Sequence, residues 1–256
     1  MTACTAVVIR WARLEDVSFL ETHTLNWLGS EEQRELSRWR HARRRLAWLV
    51  GRWLAKSVVW ESTGAVQSVD TLNIQQATPK VEIPAEFSQL QILSRNEKEM
   101  GVRPKLRWTD AQTVGDLSIS HDETRVLVAY SPDDHVRLGV DLVPTGELSG
   151  NFQQTWFTAQ EQSAWKHQPQ GEMLGWRWAV KEAFYKAVNQ AQPFQPDVVE
   201  VLPRRGQQVE LRWQGRECSD CVNLTTITLD QHSAVLVKWL LPVIENGKTH
   251  DILSTA

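Results

Sequence analysis

The chain has 256 residues, a formal net charge of −3 and 41% hydrophobic residues, the composition of an ordinary globular protein. Three cysteines, Cys4, Cys218 and Cys221, are too few for a disulfide framework and indicate a reducing compartment. The sequence has no apolar run near the roughly 18 residues of a membrane span and no signal-peptide layout at its start. These features predict a cytoplasmic protein with no membrane partner.

In chain order, the first half predicts a strand, a long helix and then short strands. Thr5–Trp11 is short and rich in β-branched residues, which predicts a strand. Ser30 and Gln33 have the spacing of a capping box, so we predict one long helix from Ser30 to about Glu61. The mixed, proline-containing stretch 75–113 is predicted to be a long excursion with short strands.

The second half predicts strands, helices and strands again. Thr158 and Glu161 have capping-box spacing at the start of a short helix, and a longer helix is predicted from about Glu172 to Asn189. The predicted strands around these helices are 117–121, 125–131, 136–143, 198–202, 208–213, 224–229 and 234–241.

Each half therefore begins with a strand that leads into helix and finishes in strands. This layout predicts an α+β fold built as a pseudo-dimer of two similar subdomains. We place the division near Arg137, with an N-terminal subdomain at residues 1–136 and a C-terminal subdomain at residues 137–256 that carries the metal-binding residues.

A local basic cluster stands out against the acidic net charge. Between Ser30 and Ser62 there are eight arginines and lysines against four glutamates. In a mildly acidic protein, such a cluster indicates a specific anionic ligand more than a polyanion. A nucleic-acid-binding module built on this helix is the alternative, but the net charge and the lack of a recognised binding motif argue against it.

Two carboxylates stand where packing alone would not place them. Asp141 ends an apolar strand, and Glu182 lies inside a helix. Trp178, Glu182 and Lys186 are spaced at i, i+4 and i+8, so they share one helix face. Mg²⁺ prefers oxygen ligands, typically one or two carboxylates with substrate phosphates. On one helix face, a carboxylate that binds the metal and an ammonium group one turn later can face the same phosphate. The plain alternatives are a surface ion pair between Glu182 and Lys186 and a turn contact of Asp141.

Four motifs in this region occur in a fixed order. They are Ser-Ile-Ser-His at 118–121, Gly-Val-Asp-Leu-Val at 139–143, Phe-Thr-Ala-Gln-Glu at 157–161 and Trp-Ala-Val-Lys-Glu-Ala-Phe-Tyr-Lys at 178–186. Together they resemble the signature of the 4′-phosphopantetheinyl transferase superfamily. With two subdomains and about 250 residues, the chain is similar to the monomeric surfactin-synthetase-activating type of that superfamily.

The resemblance implies a Mg²⁺-dependent enzyme that moves the phosphopantetheine arm of coenzyme A to a serine of an apo acyl or peptidyl carrier protein. Asp141 and Glu182 are the implied metal ligands. The implied catalytic residues are Glu182, Lys186 and Glu161, with Glu182 as the candidate general base. Glu161 also has a structural alternative, because it is the N3 residue of the Thr158 capping box.

The implied coenzyme A contacts are Ser120 and His121, with looser matches further upstream. Arg43 fits the arginine-bearing segment of the superfamily, and Arg103-Pro104 stands where a Gly-[Lys/Arg]-Pro turn is usual. The sequence departs from the pattern at Val143, where many members carry a second acid. Valine cannot bind a metal, so the resemblance implies a water in its place. A non-catalytic relative that keeps an anion pocket is the alternative.

Overall fold

The computed structural model describes residues 6–21, 25–64, 72–77, 83–95, 101–109, 115–145, 148–166, 171–188, 194–195, 197–204, 209–230 and 232–241. The chain divides into two compact units, residues 1–136 and residues 137–256, which we describe separately. Within the described residues, no helix has both the length and the apolar character needed to cross a membrane.

The first unit combines a four-stranded sheet with two helices and a β-hairpin. Its elements are β1 (Val7–Arg13), α1 (Ser30–Leu36), α2 (Ala42–Gly64), β2 (Leu72–Gln76), β3 (Leu90–Arg95), β4 (Gly101–Trp108), β5 (Asp116–His121) and β6 (Arg125–Ser131). The sheet has the order β2-β1-β6-β5, and β3 pairs with β4. The buried face of α2 packs in the core with the apolar side chains of these strands.

The described residues of the second unit form three α-helices and two three-stranded sheets. Its elements are β7 (Val136–Leu142), α3 (Gly150–Trp156), α4 (Ala159–Ala164), α5 (Gly171–Val188), β8 (Val199–Pro203), β9 (Val209–Trp213), β10 (Arg216–Glu217), β11 (Val222–Leu229) and β12 (His232–Leu240). The sheets have the orders β11-β12-β7 and β10-β9-β8. The α+β class is therefore confirmed.

Apart from β2 in the first unit and α3 and β10 in the second, the described helices and strands of the two units follow the same order. An opening strand, β1 or β7, leads to a short helix, α1 or α4, and then to a long helix, α2 or α5. One hairpin follows the long helix, and a second hairpin returns so that its last strand, β6 or β12, pairs with the opening strand. Both units thus share the repeating layout that the sequence predicts.

The helix predicted as one piece from Ser30 to Glu61 is instead two helices, and this prediction was wrong. The Ser37 hydroxyl donates to the Arg34 carbonyl at 2.8 Å, where α1 ends. Two buried ion pairs then tie α1 to α2, with Arg52 Nη2 at 3.0 Å from Glu35 Oε2 and Lys56 Nζ at 2.6 Å from Glu32 Oε2. Because these pairs need the two segments side by side, a break before α2 is required.

Local signals explain most other element boundaries. The predicted Thr158 capping box is confirmed, since the Thr158 hydroxyl accepts the Glu161 N–H and the Glu161 carboxylate accepts the Thr158 N–H. At α1 the cap lies one residue earlier than predicted: Gly29 is the N-cap, and its N–H donates to Glu32 Oε2 at 2.9 Å. Helix α3 was not predicted, because it has no buried residue to produce a periodic pattern.

Candidate functional site

The Gly-Val-Asp motif places Asp141 beside helix α5. Gly139 lies against α5 so closely that a Cβ there would overlap the backbone of Ala183. Strand β7 is buried along most of its length, and Asp141 is buried with it. The glycine is therefore needed for the close approach of strand and helix, which brings Asp141 within reach of the polar face of α5.

Asp141, Glu182 and Lys186 converge in one group. Lys186 Nζ lies 2.6 Å from Asp141 Oδ1 and 4.0 Å from Glu182 Oε2, and it also donates to the Val140 carbonyl at 3.2 Å. The Glu182 side chain is 33% exposed and that of Lys186 29%, whereas that of Asp141 is 7% exposed. The group is thus anchored in the core on one side and open to a ligand on the other.

The electrostatics of the group show two carboxyls held together. Burial raises the pKa of Glu182 to about 7, and the neighbouring Asp141 adds to this shift through its charge and a hydrogen bond between the two carboxyls. Burial lowers the pKa of Lys186, but the attraction of Asp141 and Glu182 outweighs burial and raises it overall. The two carboxyl groups outnumber the one lysine, so a further cation would balance the charge of the group.

The donor set fits a hard divalent cation. Among the described residues, no group of three or more histidine, cysteine, aspartate or glutamate side chains could hold a metal. Mg²⁺ commonly uses only one or two carboxylates and takes its other ligands from phosphates and water. Asp141 and Glu182 offer oxygen atoms alone, so these two residues fit Mg²⁺ and would be its protein ligands.

Glu161 lies in the core and not at an open site. It is fully buried, and Lys181 Nζ lies 2.5 Å from its Oε2. The same oxygen accepts the Thr158 N–H, and Oε1 accepts the Val201 N–H at 2.9 Å. This placement gives no support to the predicted catalytic role and favours the structural alternative. Lys181 belongs to the Trp-x-x-Lys-Glu motif, but the sequence motif alone gave it no role, and its pairing with Glu161 is seen only in the structure.

Val143, which stands where many superfamily members have an acid, packs with apolar neighbours. It is partly buried against the core of the second unit, and its N–H donates to the Ser233 carbonyl at 2.9 Å. Its Cγ1 atom would lie 3.5 Å from a Cβ at Gly175, two helical turns before Glu182. The side chain therefore extends toward the start of α5.

We expect Val143→Glu to destabilise the protein without reducing its Mg²⁺ requirement. A carboxylate introduced into this partly apolar contact would lose hydration without gaining a partner. Thermal unfolding should show a lower Tm than that of the wild type, and a Mg²⁺ titration of activity should give the same half-maximal concentration. Val143→Thr, similar in shape and uncharged, is the matched control. A stable glutamate variant that needs less Mg²⁺ would show instead that residue 143 faces the metal.

In the first unit, Arg43 lies close to the segment that follows His121. Ser120 is buried on β5, and His121 follows it at the exposed end of the strand. Arg43, in the first turn of α2, has Nη1 at 3.8 Å from Oε2 of Glu123, two residues beyond His121. Both of these ion-pair side chains are exposed, 57% and 87%, so the pair is easily exchanged for another anion. The N-terminus of α2 adds a further positive potential at this place.

Arg103 and Pro104 are placed differently from the expected turn. They lie within strand β4, so the predicted Gly-[Lys/Arg]-Pro turn was wrong. The pairing register of β3 with β4 shifts opposite this stretch, and a bulge on a two-stranded sheet tolerates proline. Arg103 forms an ion pair with Asp116, the first residue of β5. The pair is thus about 17 Å along the strand from His121, and the structure does not bring Arg103 and His121 together.

The fold and the site define an α+β protein with two neighbouring carboxyl groups beside a lysine. Residues 137–237 match the protein-family model of the 4′-phosphopantetheinyl transferase superfamily, so the chain carries a domain of that superfamily. This match includes Asp141, Glu161, Glu182 and Lys186. The resemblance that the sequence motifs indicate is thereby confirmed for this region. No curated protein sequence gives a significant match to the chain.

Proposed function

We propose that the chain transfers the 4′-phosphopantetheine moiety of coenzyme A to a serine hydroxyl of an apo acyl or peptidyl carrier protein, with release of 3′,5′-ADP. The observation that carries the proposal is the convergence of Asp141, Glu182 and Lys186 inside the matched domain. The holo-carrier-protein synthase activity, a monomeric state and a cytoplasmic location are parts of the same proposal.

The chemistry replaces the phosphoanhydride bond of coenzyme A with a phosphoester bond to serine. The serine oxygen forms a bond to the β-phosphorus of coenzyme A, and the bond from that phosphorus to the 3′,5′-ADP oxygen breaks. Bound Mg²⁺ would supply neutralisation of the pyrophosphate charge, and Asp141 and Glu182 are the residues that would hold it. Lys186 would contribute its ammonium group to the same phosphates.

Glu182 is our candidate to accept the serine proton. Its side chain is one-third exposed and can therefore be reached by a substrate. Asp141 is much less exposed and is held by Lys186, so it is suited to positioning and charge.

The direct test is incubation of the protein with coenzyme A, Mg²⁺ and an apo carrier protein. Mass spectrometry of the carrier should show the gain of one phosphopantetheine group, and chromatography should show an equal amount of 3′,5′-ADP. Omission of Mg²⁺ should suppress both products. Coenzyme A binding without any modified carrier would favour the non-catalytic relative. Binding of nucleic acid alone would favour the nucleic-acid-binding module.

For the phosphates of coenzyme A, we expect Arg43→Ala to raise the KM for coenzyme A by about tenfold, the loss of one charge-assisted contact. His121→Ala should also raise the KM. The measurement is steady-state kinetics with coenzyme A and with dephospho-coenzyme A, which lacks the 3′-phosphate. The wild type should prefer coenzyme A to dephospho-coenzyme A, and this preference should be smaller in Arg43→Ala.

Arg44→Ala is the matched control, because Arg44 is the adjacent exposed arginine in the same turn of α2. It should keep the wild-type preference for the 3′-phosphate. If the preference is undiminished in Arg43→Ala, the contact belongs to another arginine, such as Arg44 or Arg45.

A further inference from the structure

Two cysteines of the second unit lie three positions apart in a single turn. Cys218 and Cys221 belong to the short segment that joins β10 to β11, and both thiols are free. The Cys221 N–H donates to the Cys218 carbonyl at 3.1 Å, which closes the turn with a hydrogen bond from i+3 to i. The end Cα atoms of such a turn lie within about 7 Å of each other, and in a 3₁₀ turn side chains three positions apart project from the same side.

This arrangement meets the requirements of a disulfide. A disulfide joins residues whose Cα atoms are about 4.4–6.8 Å apart and whose Cβ atoms face each other. Burial raises the pKa of the Cys218 thiol, and the charge of Cys221 adds to this shift, so the two thiols lie within electrostatic reach of each other. A bond between the two sulfur atoms can therefore form within the turn.

Hydrogen bonds to strand β9 hold the turn in place. The Cys218 N–H donates to the Leu211 carbonyl at 2.8 Å, and the Leu211 N–H donates to Ser219 Oγ at 3.1 Å. Both backbone groups of Leu211 thus fix the segment that carries the two cysteines. Because the turn is ordered before any bond forms, each thiol has a high effective concentration for the other.

The two thiols differ in their exposure. Cys218 is 9% exposed and belongs to the core of the second unit, where its thiol donates to the Arg216 carbonyl at 3.3 Å. Cys221 is half-buried and packs against the same core. A reagent from solution therefore meets Cys221 first, and Cys218 lies behind it as the second thiol.

A disulfide fits the pair better than a metal does. Zn²⁺ usually takes four ligands, and among the described residues no group of three or more histidine, cysteine, aspartate or glutamate side chains could hold a metal. Disulfides in reducing compartments are usually transient or redox-sensing. Closure of so short a loop gains little stability, so the bond should open again when the surroundings become reducing.

We propose that Cys218 and Cys221 form a reversible redox site, which a low-molecular-weight disulfide such as oxidised glutathione converts to an intramolecular disulfide. The Cys221 thiolate attacks one sulfur of the small disulfide, and the other sulfur leaves as a thiolate. The Cys218 thiolate then attacks the Cys221 sulfur of the mixed disulfide and releases the second small thiolate. The two cysteines give up two electrons and two protons, and the small disulfide is reduced to two thiols.

The test follows both thiols by mass spectrometry after the full chain is incubated with oxidised glutathione. Every protein tested carries Cys4→Ser, so that Cys218 and Cys221 supply the only thiols. Tryptic peptide 217–238 contains both cysteines and should lose two hydrogen atoms, which excess reduced glutathione should restore. The glutathione adduct should be at least about tenfold less abundant than in Cys218→Ser, where no second thiol releases it from Cys221.

Cys221→Ser is the matched variant for the order of attack. Its remaining thiol, on the buried Cys218, should react with oxidised glutathione about tenfold more slowly than Cys221 does in Cys218→Ser. Thermal unfolding shows whether both variants are folded, and the oxidation of the unchanged pair requires neither of them.

Persistence of both thiols in the unchanged pair would overturn the proposal. A lasting glutathione adduct on that pair, or a disulfide that excess reduced glutathione does not open, would overturn it as well. So would a reaction of Cys218 in folded Cys221→Ser that is as fast as that of Cys221 in folded Cys218→Ser. None of these readouts depends on phosphopantetheine transfer.

Discussion

Replacing Asp141 by asparagine should lower kcat by about two to three orders of magnitude, because the site loses one of the two carboxylates proposed to hold Mg²⁺. Asparagine keeps the size of the side chain and an oxygen atom but removes the charge. Of its two carboxylate partners, Lys186 would then keep Glu182, at 4.0 Å. The measurement is single-turnover transfer to an apo carrier protein over a range of Mg²⁺ concentrations.

The same substitution should leave folding intact. In the wild type, two carboxyls lie against each other, and the charge of Asp141 helps to raise the pKa of Glu182 to about 7. Without that charge the pKa of Glu182 should fall, which NMR titration can follow. The variant loses the repulsion between the acids as well as the ion pair of Asp141 with Lys186, and asparagine can still accept the Lys186 hydrogen bond, so Tm should change little.

Glu217→Gln is a suitable control, because Glu217 is a half-exposed acid of the same unit that pairs with Arg204 at 3.6 Å. It changes the net charge equally and should not affect kcat. Activity of Asp141→Asn equal to that of this control would contradict the metal assignment. A fall in activity that merely follows a fall in the folded fraction would contradict it as well.

The sequence predicts the fold best where a short pattern determines the structure locally. Strand β6 has the predicted bounds, Arg125–Ser131, because a β-branched and apolar run lies between two turn clusters. The break between α1 and α2 could not be predicted from such a pattern. It depends on Glu32 and Glu35 meeting Lys56 and Arg52, which lie 24 and 17 residues further on.

The candidate site also has residues whose placement the sequence predicts and residues whose placement it does not. The grouping of Asp141, Glu182 and Lys186 follows from helical spacing and a recognisable motif, and the structure brings these three side chains together. Arg103 was assigned to coenzyme A from the resemblance to a Gly-[Lys/Arg]-Pro turn, and no local pattern showed that it pairs with Asp116, thirteen positions further on. The pattern Arg-Trp-x-x-Lys occurs twice in the sequence, at residues 52–56 and 177–181. Only the structure shows that both lysines are buried against a glutamate.

Lys181→Met should cause the largest loss of stability, about 3–5 kcal/mol in the free energy of unfolding. Lys181 is fully buried, and its ammonium is held by Glu161 at 2.5 Å. Methionine fills a similar volume but leaves the Glu161 carboxylate in the core without its counter-charge. Burial already raises the pKa of Glu161, so this carboxylate has little capacity to stay charged alone. Urea unfolding measured by circular dichroism gives the free energy.

The double variant Glu161→Gln/Lys181→Met should recover a large part of this loss, since it removes both charges and keeps an acceptor for the Thr158 or Val201 N–H. The double variant also separates the two roles considered for Glu161, structural and catalytic. If Glu161 is structural, kcat per folded molecule should stay within about twofold of the wild type in the double variant, because nothing that touches substrate has changed. A double variant that is stable but has lost kcat by orders of magnitude would show that Glu161 takes part in the chemistry despite its burial.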